Sequence, residues 1–286
     1  MCHHVIDRIG LTVSGFQMRP VAAAIWQIFP DCHKYPKRRD TMFKASIDIE
    51  LLRDSIAALS VIVEEVRLRI LTDGIAVKAV DAANVAMVIF DLKASAFDSF
   101  EATEGEIGLD LTKMADILAI ADKKTPADLE LNEETQKLLI RFSGLTYTMA
   151  LLDPATIRTE PRIPQLDLPA KVVFKGQDLK KAVKAAEKVS DHIMLSVDGN
   201  RFCMEAKGDT DSVRLEMDAS ELIELKSGDA CSLFSLDYLA NISKPIGRES
   251  VVSLSIGRDF PILINFDIAA GNGNVTFLLA PRIESD

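Results

Sequence analysis

Outside its first 41 residues the chain has one histidine, His192, so a Ser-His-Asp or Cys-His relay would rest on that single imidazole. His192 reads as a strand-start or interface residue. The sequence has no GxxxxGK[ST] loop to cradle a phosphate and no GxGxxG turn before a helix. Glu64-Glu65 and Glu133-Glu134 are adjacent, so in a strand or turn their carboxylates diverge and face solvent. Cys2-His3-His4 with Cys32-His33 supplies metal-ligand types, but the spacing fits no zinc pattern. No catalytic residue, metal or cofactor is therefore expected. The alternative is a metal-dependent carboxylate enzyme of duplicated α+β fold, using a residue such as Asp81.

The charges that do recur suit binding. Lys180, Lys184 and Lys188 fall at i, i+4 and i+8 and line one helix face, with Lys181 beside them. Leu179, Ala182, Val183 and Ala186 lie largely opposite. Companion helices offer Arg53 and Lys113; Lys123-Lys124, Lys244 and Arg248 follow just beyond helix ends. Glu50 and Asp54 flank Arg53, so the positive lining is uneven. An ordinary solvated helix face shows the same pattern. The formal charge of −10 argues against a simple nucleic-acid binder.

The elements that must position these residues are written twice. Phe43–Ile49 alternates as a strand, and Glu50–Val63 is apolar at helical spacing. Strands follow at Glu65–Thr72, Ile75–Val80 and Val85–Leu92, with an Asp73-Gly74 turn. Ser99–Asp110 carries a strand into a second helix, and strands return at Asp128–Asn132, Lys137–Phe142 and Leu145–Leu152. The second block repeats the order: strand Val172–Phe174, helix Gln177–Val189, hairpin strands around Asp198-Gly199-Asn200, strand Ser212–Asp218, helix Ser235–Ile242. Strands Val251–Ile256, Pro261–Ile268 and Asn274–Leu279 close it, with a hairpin turn at Gly271-Asn272-Gly273. The fold class is α+β: two tandem similar domains of antiparallel sheets with two helices on one face. The expected divisions are residues 42–152, a connector at 153–168 holding three prolines, and residues 169–286.

Residues 1–41 differ. They hold three of the four histidines, the single tryptophan and a basic run at Lys34–Arg39. They are expected to lie outside the fold, as an extension from an upstream start codon. They carry six basic and three acidic residues, so the remainder has a formal charge of −13. Four irregularly spaced cysteines suggest a reducing compartment, and no apolar run approaches the roughly 20 residues that span a bilayer. A cytoplasmic protein is expected, nucleoid-associated if archaeal, with no membrane partner.

Residues 42–286 resemble the archaeal-type DNA sliding clamp, the proliferating cell nuclear antigen family. Three segments carry the resemblance: DGIAVKAVDAANVAMV (Asp73–Val88), IRTEPRIPQLDLPAK (Ile157–Lys171) and LLAPRIE (Leu278–Glu284). The resemblance implies a head-to-tail homotrimeric ring that encircles duplex DNA without reading its sequence. It implies a non-catalytic processivity factor for replication and repair, which tethers DNA polymerase, a clamp loader, and flap endonuclease and ligase-type clients. A subunit of a heterotrimeric ring is the weaker option.

Within that resemblance, Arg53, Lys113, Lys180, Lys181, Lys184, Lys188, Lys244 and Arg248 would face DNA. Client motifs with apolar and aromatic anchors would meet Val80, Asp81, Val85, Met87, Ile163, Pro164, Pro261, Leu278, Ala280, Pro281 and Ile283. Core packing is the competing reading for Val85, Met87 and Leu278. Several of these positions are aromatic elsewhere in the family, whereas Leu278 is aliphatic. Subunits would join strand to strand, through Leu145, Tyr147, Met149 and Leu151 of one copy and Val213, Leu215 and Met217 of the next.

Overall fold

The computed structural model describes residues 42–132 and 134–283. The expected extension, Glu133 and Glu284 lie outside the described residues. The first half runs β1 (Phe43–Asp48), α1 (Ile49–Ser60), β2 (Glu65–Leu71), β3 (Gly74–Val80), β4 (Ala86–Lys93), β5 (Ser99–Ala102), β6 (Gly105–Asp110), α2 (Leu111–Ala119), β7 (Pro126–Asn132), β8 (Lys137–Phe142) and β9 (Leu145–Ala150). The second runs β10 (Ala170–Lys175), α3 (Gly176–Ala186), β11 (His192–Asp198), β12 (Arg201–Lys207), β13 (Ser212–Asp218), β14 (Glu224–Lys226), β15 (Ala230–Ser235), α4 (Leu236–Ser243), β16 (Val251–Ile256), β17 (Ile262–Ile268) and β18 (Gly273–Leu279). The two halves match element for element among the described residues.

The helices start where their first N–H groups find acceptors. Asp48 accepts from the N–H groups of Glu50 and Leu51, and Asp110 from that of Lys113. Helix α3 has no capping side chain. The carbonyls of Ser250 and Arg248 accept from Gly176 and Gln177 instead. A Cβ at Gly176 would lie 2.3 Å from the Gly247 carbonyl oxygen, so glycine permits that approach.

Three antiparallel sheets result. Five strands run β5-β1-β7-β8-β9, and four run β13-β12-β11-β15. Nine strands, β14-β10-β16-β17-β18-β4-β3-β2-β6, cross both halves. The halves fuse where β18 pairs β4, from Gly273 opposite Leu92 to Leu279 opposite Ala86. In the first half, Leu52, Ile56 and Leu59 of α1 and Met114 of α2 meet Val66, Leu68, Phe90, Leu129 and Leu138 from two sheets, around a void of about 30 Å³. Within each half the two helices pack against each other, α1 on α2 and α3 on α4.

Several boundaries differ from the sequence reading. Ser99–Asp110 holds two strands, and β14 and β15 were not anticipated. The β2–β3 turn is Thr72-Asp73, with Leu71 opposite Gly74. Gly74 takes φ +154 and passes so close to β4 that a Cβ would sit 2.2 Å from the Leu92 carbonyl oxygen. The β17–β18 loop takes four residues, Ala269–Asn272, with Ile268 opposite Gly273. Helix α3 stops at Ala186, which leaves Lys188 in the following turn.

Candidate binding surfaces

The apolar stripe of α3 is buried at Leu179, Ala182, Val183 and Ala186, which sends its lysines outward. Lys181, Lys184 and Lys188 are exposed and make no ion pair among the described residues. Arg248 is likewise exposed. The other predicted cations are committed locally. Arg53 is half-buried; its Nε donates to the Leu118 carbonyl at 2.8 Å, and its Nη2 also reaches the Ala121 carbonyl. Lys180 is half-buried and donates from Nζ to the Lys244 carbonyl at 3.1 Å. Each therefore satisfies carbonyls at the C-terminus of its neighbouring helix, where the helix dipole favours a cation. Lys113 pairs with Asp110 at 2.9 Å, and Lys244 donates to Asn241 Oδ1 at 2.7 Å. Asp54 follows Arg53 on α1; burial and the nearby Glu50 and Asp48 carboxylates push its carboxyl above the ordinary value.

The three segments that carried the resemblance converge. Val80 lies opposite Met87, Met87 opposite Leu278, and Leu278 opposite Leu263. Directly opposed residues share a sheet face, so these four side chains form one apolar row across four strands. The next row on that face is Lys78, Ile89, Thr276 and Asn265, so the apolar strip is confined to one end. The Ala280 N–H donates to the Val85 carbonyl at 2.9 Å, which brings the C-terminal segment against the β3–β4 loop. Met87 is 8% exposed, whereas Val80, Val85, Pro261, Leu278, Ala280 and Pro281 are half-buried. Ile163 is 48% exposed and Ile283 76%, and Pro164 is exposed.

The connector is tied down at its start. The Arg67 guanidinium donates to the Ile157 carbonyl, Arg69 faces Glu160 at 3.7 Å, and Arg158 Nη1 donates to the Asp81 carbonyl at 2.8 Å. Asp81 itself is 7% exposed, and its carboxylate shapes the loop. Its Oδ1 accepts from the N–H groups of Val85 (2.8 Å) and Ala86 (2.9 Å), and its Oδ2 from the Tyr238 hydroxyl (2.6 Å). Those internal donors engage both oxygens of the carboxylate. Sequence reasoning missed Tyr238. Its only signal was an aromatic residue on a short helix, with no spacing that points to a residue 157 positions away.

Among the described residues, six strands end a sheet and have one ladder partner each: β5 and β9, β14 and β6, β13 and β15. β9 ends the five-stranded sheet and β13 ends the four-stranded sheet. Leu145 and Tyr147 are 52% and 48% exposed, and Leu151, Val213 and Leu215 are half-buried. Met149 and Met217 point into the core of their own subunit. His192 opens β11 and is half-buried. Cys203 and Cys231 each lie opposite Ser196 on either side of β11, two strand spacings apart and out of disulfide range. No described helix is long and apolar enough to cross a membrane.

The repeated order of elements, with sheet-ending strands in each half, defines a duplicated α+β class. The family model described as "Proliferating cell nuclear antigen, N-terminal domain" matches residues 42–146, and the C-terminal-domain model matches residues 162–282. A protein of Methanosarcina barkeri named DNA polymerase sliding clamp is 62% identical over 245 residues, 86% of this chain and 100% of that protein. One of the same name from Halobacterium salinarum is 49% identical over 247 residues, with the same coverage. The solved structure "C-terminal region of FEN-1 bound to A. fulgidus PCNA" superposes with a TM-score of 0.83 at 39% identity, covering 86% of this chain and 100% of that one. The chain belongs to the proliferating cell nuclear antigen family.

Proposed function

We propose that this chain is a DNA polymerase sliding clamp. Three copies join head to tail, the ring encircles duplex DNA, and the ring tethers DNA polymerase and repair enzymes without catalysing a reaction. The chain divides at the connector 153–168 into clamp domains 42–152 and 169–286. The observation that carries this reading is that β9 in the first half and β13 in the second each end a sheet, with Leu145 and Tyr147 of β9 exposed. A contact between unlike edges is heterologous, and it closes into a ring when each step turns by a third of a circle. Closure also pairs these two edges.

Lys181, Lys184, Lys188 and Arg248 then face the DNA, with Lys180 and Lys244 contributing from the same helix pair. Contacts to phosphate are sequence-blind and weaken with salt, while retention comes from topology. The acidic body repels free DNA elsewhere. The apolar row from Val80 to Leu278, together with Val85, Ile163, Pro164, Pro261, Ala280, Pro281 and Ile283, receives client motifs. Support for a flap endonuclease client comes from the A. fulgidus relative, whose structure holds a FEN-1 segment. The protein works in the cytoplasm, at the nucleoid.

Topological retention tests this. A loaded clamp should stay on nicked circular DNA through a high-salt wash and leave once the circle is cut. Equal loss from intact circles and from cut DNA would reject encirclement.

A further inference from the structure

A cleft of about 710 Å³ opens between the end of α1, the β3–β4 loop, the start of the connector and α4, and Asp81 and Tyr238 both line it. Tyr238 belongs to the second half, yet its hydroxyl bonds a carboxylate of the first. Among the described residues, the other side-chain hydrogen bond between the halves, Ser95 to Asn272, lies at the far end of the β4–β18 ladder.

The same carboxylate organises the loop that enters β4. Asp81 N–H donates to the Ala86 carbonyl at 3.0 Å, and Asn84 N–H donates to the Asp81 carbonyl at 3.2 Å. Asn84 adopts φ +59, a left-handed conformation that asparagine tolerates better than most residues and that side-chain contacts help hold. Arg158 of the connector supplies that hold, since its guanidinium donates to Asn84 Oδ1 as well as to the Asp81 carbonyl.

We infer that Tyr238 is a positioning residue for client binding: through Asp81 it fixes the β3–β4 loop, and with it Val85, in the shape that a client motif meets. The inference rests on the client-pocket reading above. A buried carboxylate left one donor short is costly, so without the hydroxyl Asp81 reorients and releases the N–H groups of Val85 and Ala86. The loop must then be ordered when a client binds, and binding weakens by that ordering cost.

The test uses the full chain and a synthetic FEN-1 C-terminal peptide as probe. Tyr238→Phe keeps the ring and removes the hydroxyl. Expected are a roughly tenfold weaker peptide affinity, faster amide exchange at Val85 and Ala86 alone, and an unchanged native mass. Peptide at saturation should restore the lost protection. In a double-mutant cycle with Asp81→Ala, the two losses should not add. Unchanged affinity of Tyr238→Phe would overturn the role, as would faster exchange spread through every sheet. Ile163→Ala with Ile283→Ala serves as control. If that variant also binds normally, the pocket assignment fails and the positioning role falls with it; if it binds weakly while Tyr238→Phe does not, only the positioning role is lost.

Discussion

Arg53 and Lys180 are counterparts in the two halves: each is the fifth residue of its half's first helix, and each donates to carbonyls at the end of the second. The duplication therefore repeats a helix-to-helix lock as well as an order of elements. A guanidinium meets two carbonyls in the first half, and an ammonium meets one in the second. Arg53→Ala should lower stability by about 1–2 kcal/mol and leave DNA retention unchanged. Urea unfolding and a retention assay on circular DNA, run on the same preparation, check both statements.

The exposed lysines should behave oppositely. Replacing Lys181, Lys184 and Lys188 by Glu removes three unpaired cations from one face and should cut loading on circular DNA severely. The urea midpoint should move little, since surface substitutions usually change stability by within about 0.5 kcal/mol each. Loading that matches the parent chain at moderate salt would take the DNA off this face.

Phe277 stands opposite Val88 in the ladder that joins the halves, and both are 0% exposed. The Phe277 ring also stacks on Phe266, with centroids 6.2 Å apart. Phe277→Ala should cost about 3–5 kcal/mol and lower the stability of both halves together. A single urea transition, seen alike by tyrosine fluorescence and far-ultraviolet dichroism, is the expected signature.

Asp81 and Tyr238 give stability a pH dependence at both limits. Burial pushes the Asp81 carboxyl up, but hydrogen bonds from Tyr238, Ala86, Val85 and Ala83 outweigh it and hold the group below its ordinary 3.8. The folded value lies under the unfolded one, so this stabilisation is present above the unfolded value and is lost as pH falls through the folded one. The hydrogen bond to Asp81, then burial and the carboxylate's charge, push the Tyr238 hydroxyl up to about 12. Here the folded value lies above the unfolded one near 10, so stability is full below that value and is lost as pH rises toward about 12. Tyr238→Phe should flatten both limbs of a melting-temperature profile. Limbs that match the parent chain would contradict the pairing.

Much of this was legible in the sequence because it is periodic. The apolar stripe of α3 and the alternation of β2 or β17 each follow from a single repeat, and structure places them where that repeat predicts. The duplicated order and the three family segments were visible for the same reason, as local strings. What stayed hidden is long-range pairing. Arg53 reads as a free cation until the end of α2 folds beside it, 65 residues later. Asp81 reads as a surface acid until Tyr238 arrives from the other half. Met149 and Met217 alternate with exposed neighbours on edge strands, and only the tertiary packing turns them inward. The short strands β5 and β14 hold four and three residues, too few for alternation to declare itself.

The native mass of the full chain, measured by light scattering at decreasing concentration, tests the ring most directly. A ring of three subunits is expected from the proposed clamp reading, and Leu145→Asp with Tyr147→Asp should reduce the mass to one subunit without changing the far-ultraviolet spectrum. A parent chain that remains monomeric at every concentration would contradict the account.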